Sequence, residues 1–169
     1  MKGLSSKGYF HVCTDGRALP WIFQDESDFI AGVNRIGICN LRTGAKVIAY
    51  VLMDNHVHFV LHGAMPECKA FITLYKQLTG TWIHFKYGLN DYLRQLPANI
   101  LLLDTEERLL NTIAYIDRNP IVAGYRCLPT EYPWGSARYV FKESREEEET
   151  KPLSMMSRRA QRLLLRTRI

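Results

Sequence analysis

The stretch Lys46-Val-Ile-Ala-Tyr-Val-Leu-Met-Asp-Asn-His-Val-His-Phe-Val-Leu-His62 decides the fold class. Lys46 to Met53 and Val57 to His62 are rich in β-branched and apolar residues and read as two strands. Asp54 and Asn55 stand at the bend between them, as turn formers do in a hairpin. Upstream, Gly8 to Thr14 reads as a first strand. Asp25 to Ile38 carries acidic residues early and apolar residues at helical spacing, which predicts a helix. Downstream, Glu67 to Tyr87 has helical periodicity through Phe71, Leu74, Leu78 and Ile83. Thr105 to Asn119 predicts a further helix, with Leu109, Leu110, Ile113 and Ile116 as its buried face. Glu106 and Glu107 suit its first turn, and Pro120 is expected to stop it. The order β-α-β-β-α, with room for a further strand, fits an α+β fold in which helices pack on an antiparallel sheet.

A chain of 169 residues suits one domain, and its composition changes near residue 142. Residues 143 to 150 are acidic and of low complexity, so they are expected to be a solvated linker. From Lys151 to Ile169, Arg158, Arg159, Arg162, Arg166 and Arg168 surround Leu163, Leu164 and Leu165, which reads as a helical extension with a cationic face. That extension fits a solvated terminal helix as well as it fits a DNA-binding arm. The net charge of +5 and pI near 9.1 suit a polyanionic partner without requiring one. Cys13, Cys39, Cys68 and Cys127 are scattered and form no C-x-x-C pair, which argues against a zinc ribbon. Free, mostly structural thiols in a reduced cytoplasmic setting are expected. There is no signal-peptide pattern and no apolar run long enough to span a bilayer, so no membrane partner is expected.

Two stretches carry chemistry. His56 and His58 flank Val57, and alternate strand residues share a face, so both imidazoles are expected to project together while Val57, Phe59 and Leu61 enter the core. Two imidazoles on one pleated face can grip one divalent cation. They equally fit a half-exposed strand facing water. The second stretch is Tyr115-Ile-Asp-Arg-Asn-Pro-Ile-Val-Ala-Gly124. Tyr115 and Asn119 are four apart and lie one turn from each other on one helix face. A phenol is a weak nucleophile until a cation or base stabilises its phenolate. Asn119 offers a neutral oxygen that completes a His, His, Asn ligand set. The ordinary alternative is a half-buried tyrosine and a helix-terminal asparagine before a proline.

Together these stretches resemble the single-tyrosine HUH transposases, named for histidine, hydrophobic residue, histidine, here His56-Val57-His58. The fuller match is to REP-associated tyrosine transposases and their insertion-sequence relatives. Tyr50-Val-Leu-Met-Asp-Asn-His-Val-His58, Tyr115 to Gly124 and Tyr132-Pro-Trp-Gly-Ser136 occur in that family's order, so the resemblance spans roughly residues 8 to 141. It implies a catalytic domain over residues 1–142 with a ferredoxin-like antiparallel sheet and helices packed on one face. It implies a DNA transposase: an endonuclease and strand transferase on single-stranded or hairpin DNA. Tyr115 is then the nucleophile that forms a 5′-phosphotyrosine link, and His56, His58 and Asn119 hold magnesium or manganese. Imidazole is softer than magnesium prefers, so manganese activity is expected as well. Relatives include dimers in which the tyrosine of one subunit serves the other's histidines, so a homodimer is compatible with the resemblance.

The chain departs from the family pattern in places. Asp54 stands where proline is usual and could hydrogen-bond behind the metal ligands or cap the turn; Gly135 replaces a usual serine. The region Phe85 to Gln95 is shorter and less basic than its family counterpart. Single-strand binding needs cations for phosphates and flat groups for bases. Arg17, Lys76, Lys86, Arg94, Arg118 and Arg138 are candidate phosphate contacts, and Trp82 and Trp134 candidate stacking groups. Each also fits an ordinary surface charge or core aromatic. Two competing functions stay open: a domesticated hairpin-binding protein that keeps the fold without transposition, and a hydrolase that uses His56 and His58 with water while Tyr115 is structural.

Overall fold

The computed structural model describes residues 6–17, 21–89 and 92–140. The expected linker and basic extension, 143 to 169, lie outside the described residues. The elements are β1 (Gly8–Thr14), α1 (Glu26–Thr43), β2 (Lys46–Leu52), β3 (Val57–Gly63), α2 (Met65–Tyr87), α3 (Tyr92–Gln95), β4 (Ala98–Leu103), α4 (Glu106–Val122) and α5 (Ala137–Val140). The four strands form one antiparallel sheet in the order β2-β3-β1-β4. The α+β class is as expected, and the further strand is β4.

Helix boundaries follow local chemistry. The Asp25 carboxylate accepts from the Asp28 N–H at the start of α1, and Gly44, at φ 77°, ends it in the left-handed conformation that glycine tolerates. α1 therefore runs past the expected Ile38 to the true stop. α2 opens with the Glu67 carboxylate reaching back to the Ala64 N–H at 2.8 Å. Thr105 caps α4 by accepting from the Arg108 N–H.

Both faces of the sheet are apolar, so both need cover. Phe10, Val12, Leu52, Val57, Phe59 and Leu61 pack with Phe71 and Tyr75 of α2 and Phe29 and Ile36 of α1. On the opposite face, Ala49, Val51, Val60 and Leu103 meet Ile116 of α4 and Tyr132. α1 and α2 share one face and α4 covers the other, where the resemblance implied helices on one face. Burying each large aliphatic or aromatic side chain contributes roughly 1.5–3 kcal/mol, so a strand apolar on both sides would be unstable with one face wet.

Two expectations about α4 are corrected. Pro120 does not stop the helix but lies buried inside its last turn. Proline lacks only the N–H that would bond to Ile116, and the turn closes beyond it through the Ala123 N–H to the Asn119 carbonyl at 2.9 Å. Leu110 does not share the buried face and is 57 % exposed. The stripe that meets the sheet is Leu109, Ile113 and Ile116, spaced four and three apart, and Leu110 falls to its side.

The segment Tyr132-Pro-Trp-Gly-Ser136 borders β2. Its Ser136 hydroxyl accepts from the Tyr50 N–H at 2.9 Å, the Leu52 N–H bonds to the Trp134 carbonyl at 3.0 Å, and Tyr132 Oη donates to the Leu52 carbonyl at 2.9 Å. The outer edge of the sheet is thereby partly closed. Among the described residues, no helix is long and apolar enough to cross a membrane.

Candidate active site

β3 places Val57, Phe59 and Leu61 toward α1 and α2, and His58 and Val60 toward α4. His56 precedes the strand at the end of the bend. The two rings stand edge to face, with centroids 4.9 Å apart. The imidazoles therefore share one side of the sheet, as the alternation predicted. α4 crosses the same side and sets the Tyr115 ring 5.5 Å from that of His58, at 86°. Tyr115 is 55 % exposed, so its ring is open to solvent.

Hydrogen bonds determine what each group presents. Asn55 Nδ2 donates to the Gly16 carbonyl at 2.7 Å, which leaves Asn55 Oδ1 to accept from His56 Nδ1 at 2.7 Å. The proton of His56 is thus on Nδ1, and its lone pair is on Nε2. Asn119 Nδ2 donates to the Tyr115 carbonyl at 3.2 Å, which turns Asn119 Oδ1 outward, 3.4 Å from His56 Nε2. Two acceptors face each other. That arrangement is satisfied by a proton on His56 or by a cation shared between them. Burial disfavours the proton: it holds His56 below its ordinary pKa against the opposing pull of Asn119, Asp15 and Asp54. Burial, with the neighbouring His56 and His11 rings, lowers His58 to about 3. Both imidazoles are neutral donors near pH 7.

His11 and Cys13 belong to the same cluster and were not anticipated. His11 Nε2 lies 3.0 Å from His58 Nδ1, and Cys13 is the direct cross-strand partner of His58. The signal was present in Phe10-His11-Val12-Cys13, which alternates on β1 as His56-Val57-His58 does near β3. Gly16 matters too: a Cβ there would stand 2.8 Å from His56 Nδ1, so the chain passes too close for a side chain.

The DNA-facing candidates divide. Arg17 is exposed, pairs with Asp15 at 3.3 Å, and follows Gly16 at the edge of the cluster. Arg118 is exposed on α4 between Tyr115 and Asn119. The others spend their groups within the fold. Lys86 binds Asp25 and Asp28 at 2.6 and 2.8 Å. Lys76 donates to the carbonyls of Arg94 and Leu96, and Arg94 reaches the Thr81 hydroxyl at 3.4 Å. Arg138 donates to the Pro133 carbonyl at 3.1 Å. Trp134 stacks on Phe29 with centroids 5.0 Å apart, and Trp82 donates to Asp28 at 2.8 Å. Asp54 bonds no histidine; its carboxylate accepts from Tyr125 Oη at 2.9 Å.

No protein-family model matches the chain, and no curated protein matches it in sequence. Among solved structures, it is similar to a REP-associated tyrosine transposase bound to a REP hairpin. The TM-score is 0.51 and the identity 11 %, over 79 % of this chain and 78 % of that one. At that identity, the likeness shows a common fold.

Proposed function

We propose that this chain is a metal-dependent DNA transposase of the single-tyrosine HUH kind, nicking and rejoining single-stranded DNA through Tyr115. The observation that carries this reading is the approach of His56 Nε2 to Asn119 Oδ1 at 3.4 Å, beside an exposed tyrosine. A cation is the simplest occupant of such a gap. His56, His58 and Asn119 fit a divalent ion of borderline hardness, manganese more readily than magnesium. When bound, that ion would offset phosphate charge and favour the phenolate of the nucleophile.

The remaining steps belong to side chains. The Tyr115 oxygen attacks phosphorus and loses its proton to water. The bond from phosphorus to the 3′ oxygen breaks, and that oxygen leaves as a 3′-hydroxyl after gaining a proton. The 5′-phosphotyrosine conserves a phosphodiester, so a later attack by a 3′-hydroxyl rejoins DNA without a nucleotide cofactor. Arg17 and Arg118 are the cations best positioned to meet flanking phosphates. The hairpin in the solved neighbour supports hairpin-bearing DNA as substrate.

The test is incubation of the chain with a pool of hairpin-bearing single strands and Mn²⁺, followed by denaturing electrophoresis. A covalent adduct is expected with the wild type and none with Tyr115→Phe of intact fold. An adduct undiminished in that variant would refute the nucleophile. Binding without any adduct would indicate a DNA-binding protein, and multiple turnover without one a hydrolase.

A further inference from the structure

His58 faces two sets of partners. On one side stands His56, whose Nε2 lies 3.4 Å from Asn119 Oδ1. On the other, His11, Cys13 and His58 each offer a ligand atom, and these atoms lie within 4.8 Å of one another. The nitrogens of His11 and His58 are 3.0 Å apart. This second set is chemically different: two imidazoles and a thiol, without an oxygen. Zinc binds imidazole nitrogen at about 2.0–2.1 Å and thiolate sulfur at about 2.3 Å, so its ligand atoms lie roughly 3–4 Å from each other. Small side-chain rotations bring the three atoms into that range.

The backbone supports the grouping. β1 and β3 are hydrogen-bonded neighbours, Cys13 lies directly opposite His58, and His11 is two residues along β1 on the same face. Three donors fixed on two paired strands need little ordering to bind. His58 is buried, while His11 and Cys13 are partly exposed, which leaves an approach from solvent and a fourth position for water.

We propose that His11, Cys13 and His58 form a second cation site, selective for thiophilic divalent ions such as zinc, cobalt or cadmium, that competes with the His56–His58–Asn119 site. Soft sulfur favours these ions over magnesium and manganese. Binding converts the Cys13 thiol to a metal thiolate and releases its proton to water. Competition follows from the imidazole itself. A neutral ring has one free lone pair, so His58 serves one cation at a time whichever nitrogen it uses. A thiophilic ion therefore removes His58 from the nicking site. The competition, though not the binding, rests on the function proposed above.

The experiment titrates the reduced full-length protein with Co²⁺ alone and follows the near-ultraviolet thiolate-to-cobalt charge-transfer band. One equivalent is expected to saturate the band. Cys13→Ser abolishes it, and His11→Ala weakens binding at least tenfold. Tyr115→Phe, His56→Ala and Cys127→Ser retain it. Circular dichroism checks each fold. If Cys13→Ser does not fold, cadmium NMR of the wild type decides, with a resonance typical of one sulfur and two nitrogens expected. No saturable band, or a band surviving Cys13→Ser, overturns the site. Zn²⁺ should also suppress manganese-dependent adducts in the wild type and spare them in Cys13→Ser; equal suppression of both overturns the competition. A cobalt band in a protein that forms no adduct leaves this site standing while the nicking function falls.

Discussion

The side-chain oxygen of Asn55 lies 2.7 Å from His56 Nδ1 and leaves Nε2 as the end of that imidazole with a free lone pair. The arrangement is enforced by Gly16, whose carbonyl engages the amide nitrogen of Asn55 and prevents it from turning over. Ligand histidines held this way bind metal more tightly because the ring enters with its tautomer and orientation already set. Asn55→Ala is expected to lower Mn²⁺ affinity by about 10–100-fold while His56 stays in place. Calorimetric titration measures it, and an unchanged affinity would mean that the tautomer is set elsewhere.

A pH-dependent clamp joins the start of α1 to the end of α2. Asp28, fully buried, accepts from Lys86 Nζ at 2.8 Å, Tyr87 Oη at 2.6 Å, Trp82 Nε1 at 2.8 Å and the Gln24 N–H at 3.0 Å. Burial pushes its carboxyl up, but bonds from Lys86, Tyr87, Gln24 and Trp82 outweigh it and hold it below 3.8. Exposed Asp25, bonded by Lys86 and Ser27, is lowered to about 2. Carboxylates depressed on folding stabilise fully above their unfolded value, and the stabilisation is lost as pH falls through the folded one. Stability should therefore be level above about pH 5 and decline from there toward pH 2. Lys86 is raised above its ordinary value, so its share persists through neutral pH and is lost only in strong base. Asp28→Asn should flatten the acid limb, and Asp28→Ala should cost on the order of 3 kcal/mol by leaving buried partners unmatched. Urea melts between pH 2.5 and 7 check both.

Asp54 and Tyr125 form a tether of their own. Tyr125 Oη lies 2.9 and 3.0 Å from the two Asp54 oxygens, joining the hairpin bend to the chain beyond α4. Both are partly exposed to solvent, so a coupling of about 1 kcal/mol is expected from a double-mutant cycle of Asp54→Ala and Tyr125→Phe. Manganese affinity should not change in either variant. A loss of binding in Asp54→Ala matched by none in Tyr125→Phe would reassign the carboxylate to the cation.

Much of this was readable before folding because it is local. Runs of β-branched and apolar residues located β2 and β3 after a first strand at Gly8 to Thr14, and the alternation of strand residues placed His56 and His58 on one side. Four-residue spacing placed Asn119 under Tyr115, and the structure adds the bond from Asn119 to the Tyr115 carbonyl at 3.2 Å. What escaped depends on partners far apart in the chain. His11 meets His58 only through strand register, 47 residues away. Lys86 and Trp82 resembled nucleic-acid contacts until Asp28, more than fifty residues earlier, claimed them both. Pro120 misled for a different reason: a proline ends a helix only when the lost bond and crowding are not offset, and here its ring is buried.

The tyrosine rides on a lightly anchored rod. Of the seventeen residues of α4, only Ile116 and Pro120 are fully buried, against seven of the twenty-three in α2. So little burial makes partial detachment inexpensive compared with unfolding the whole domain. The amide protons of α4 should accordingly trade with solvent deuterium well ahead of those in α2, and a bulky polymer strand could wedge beneath the helix without disturbing the sheet that carries the imidazoles.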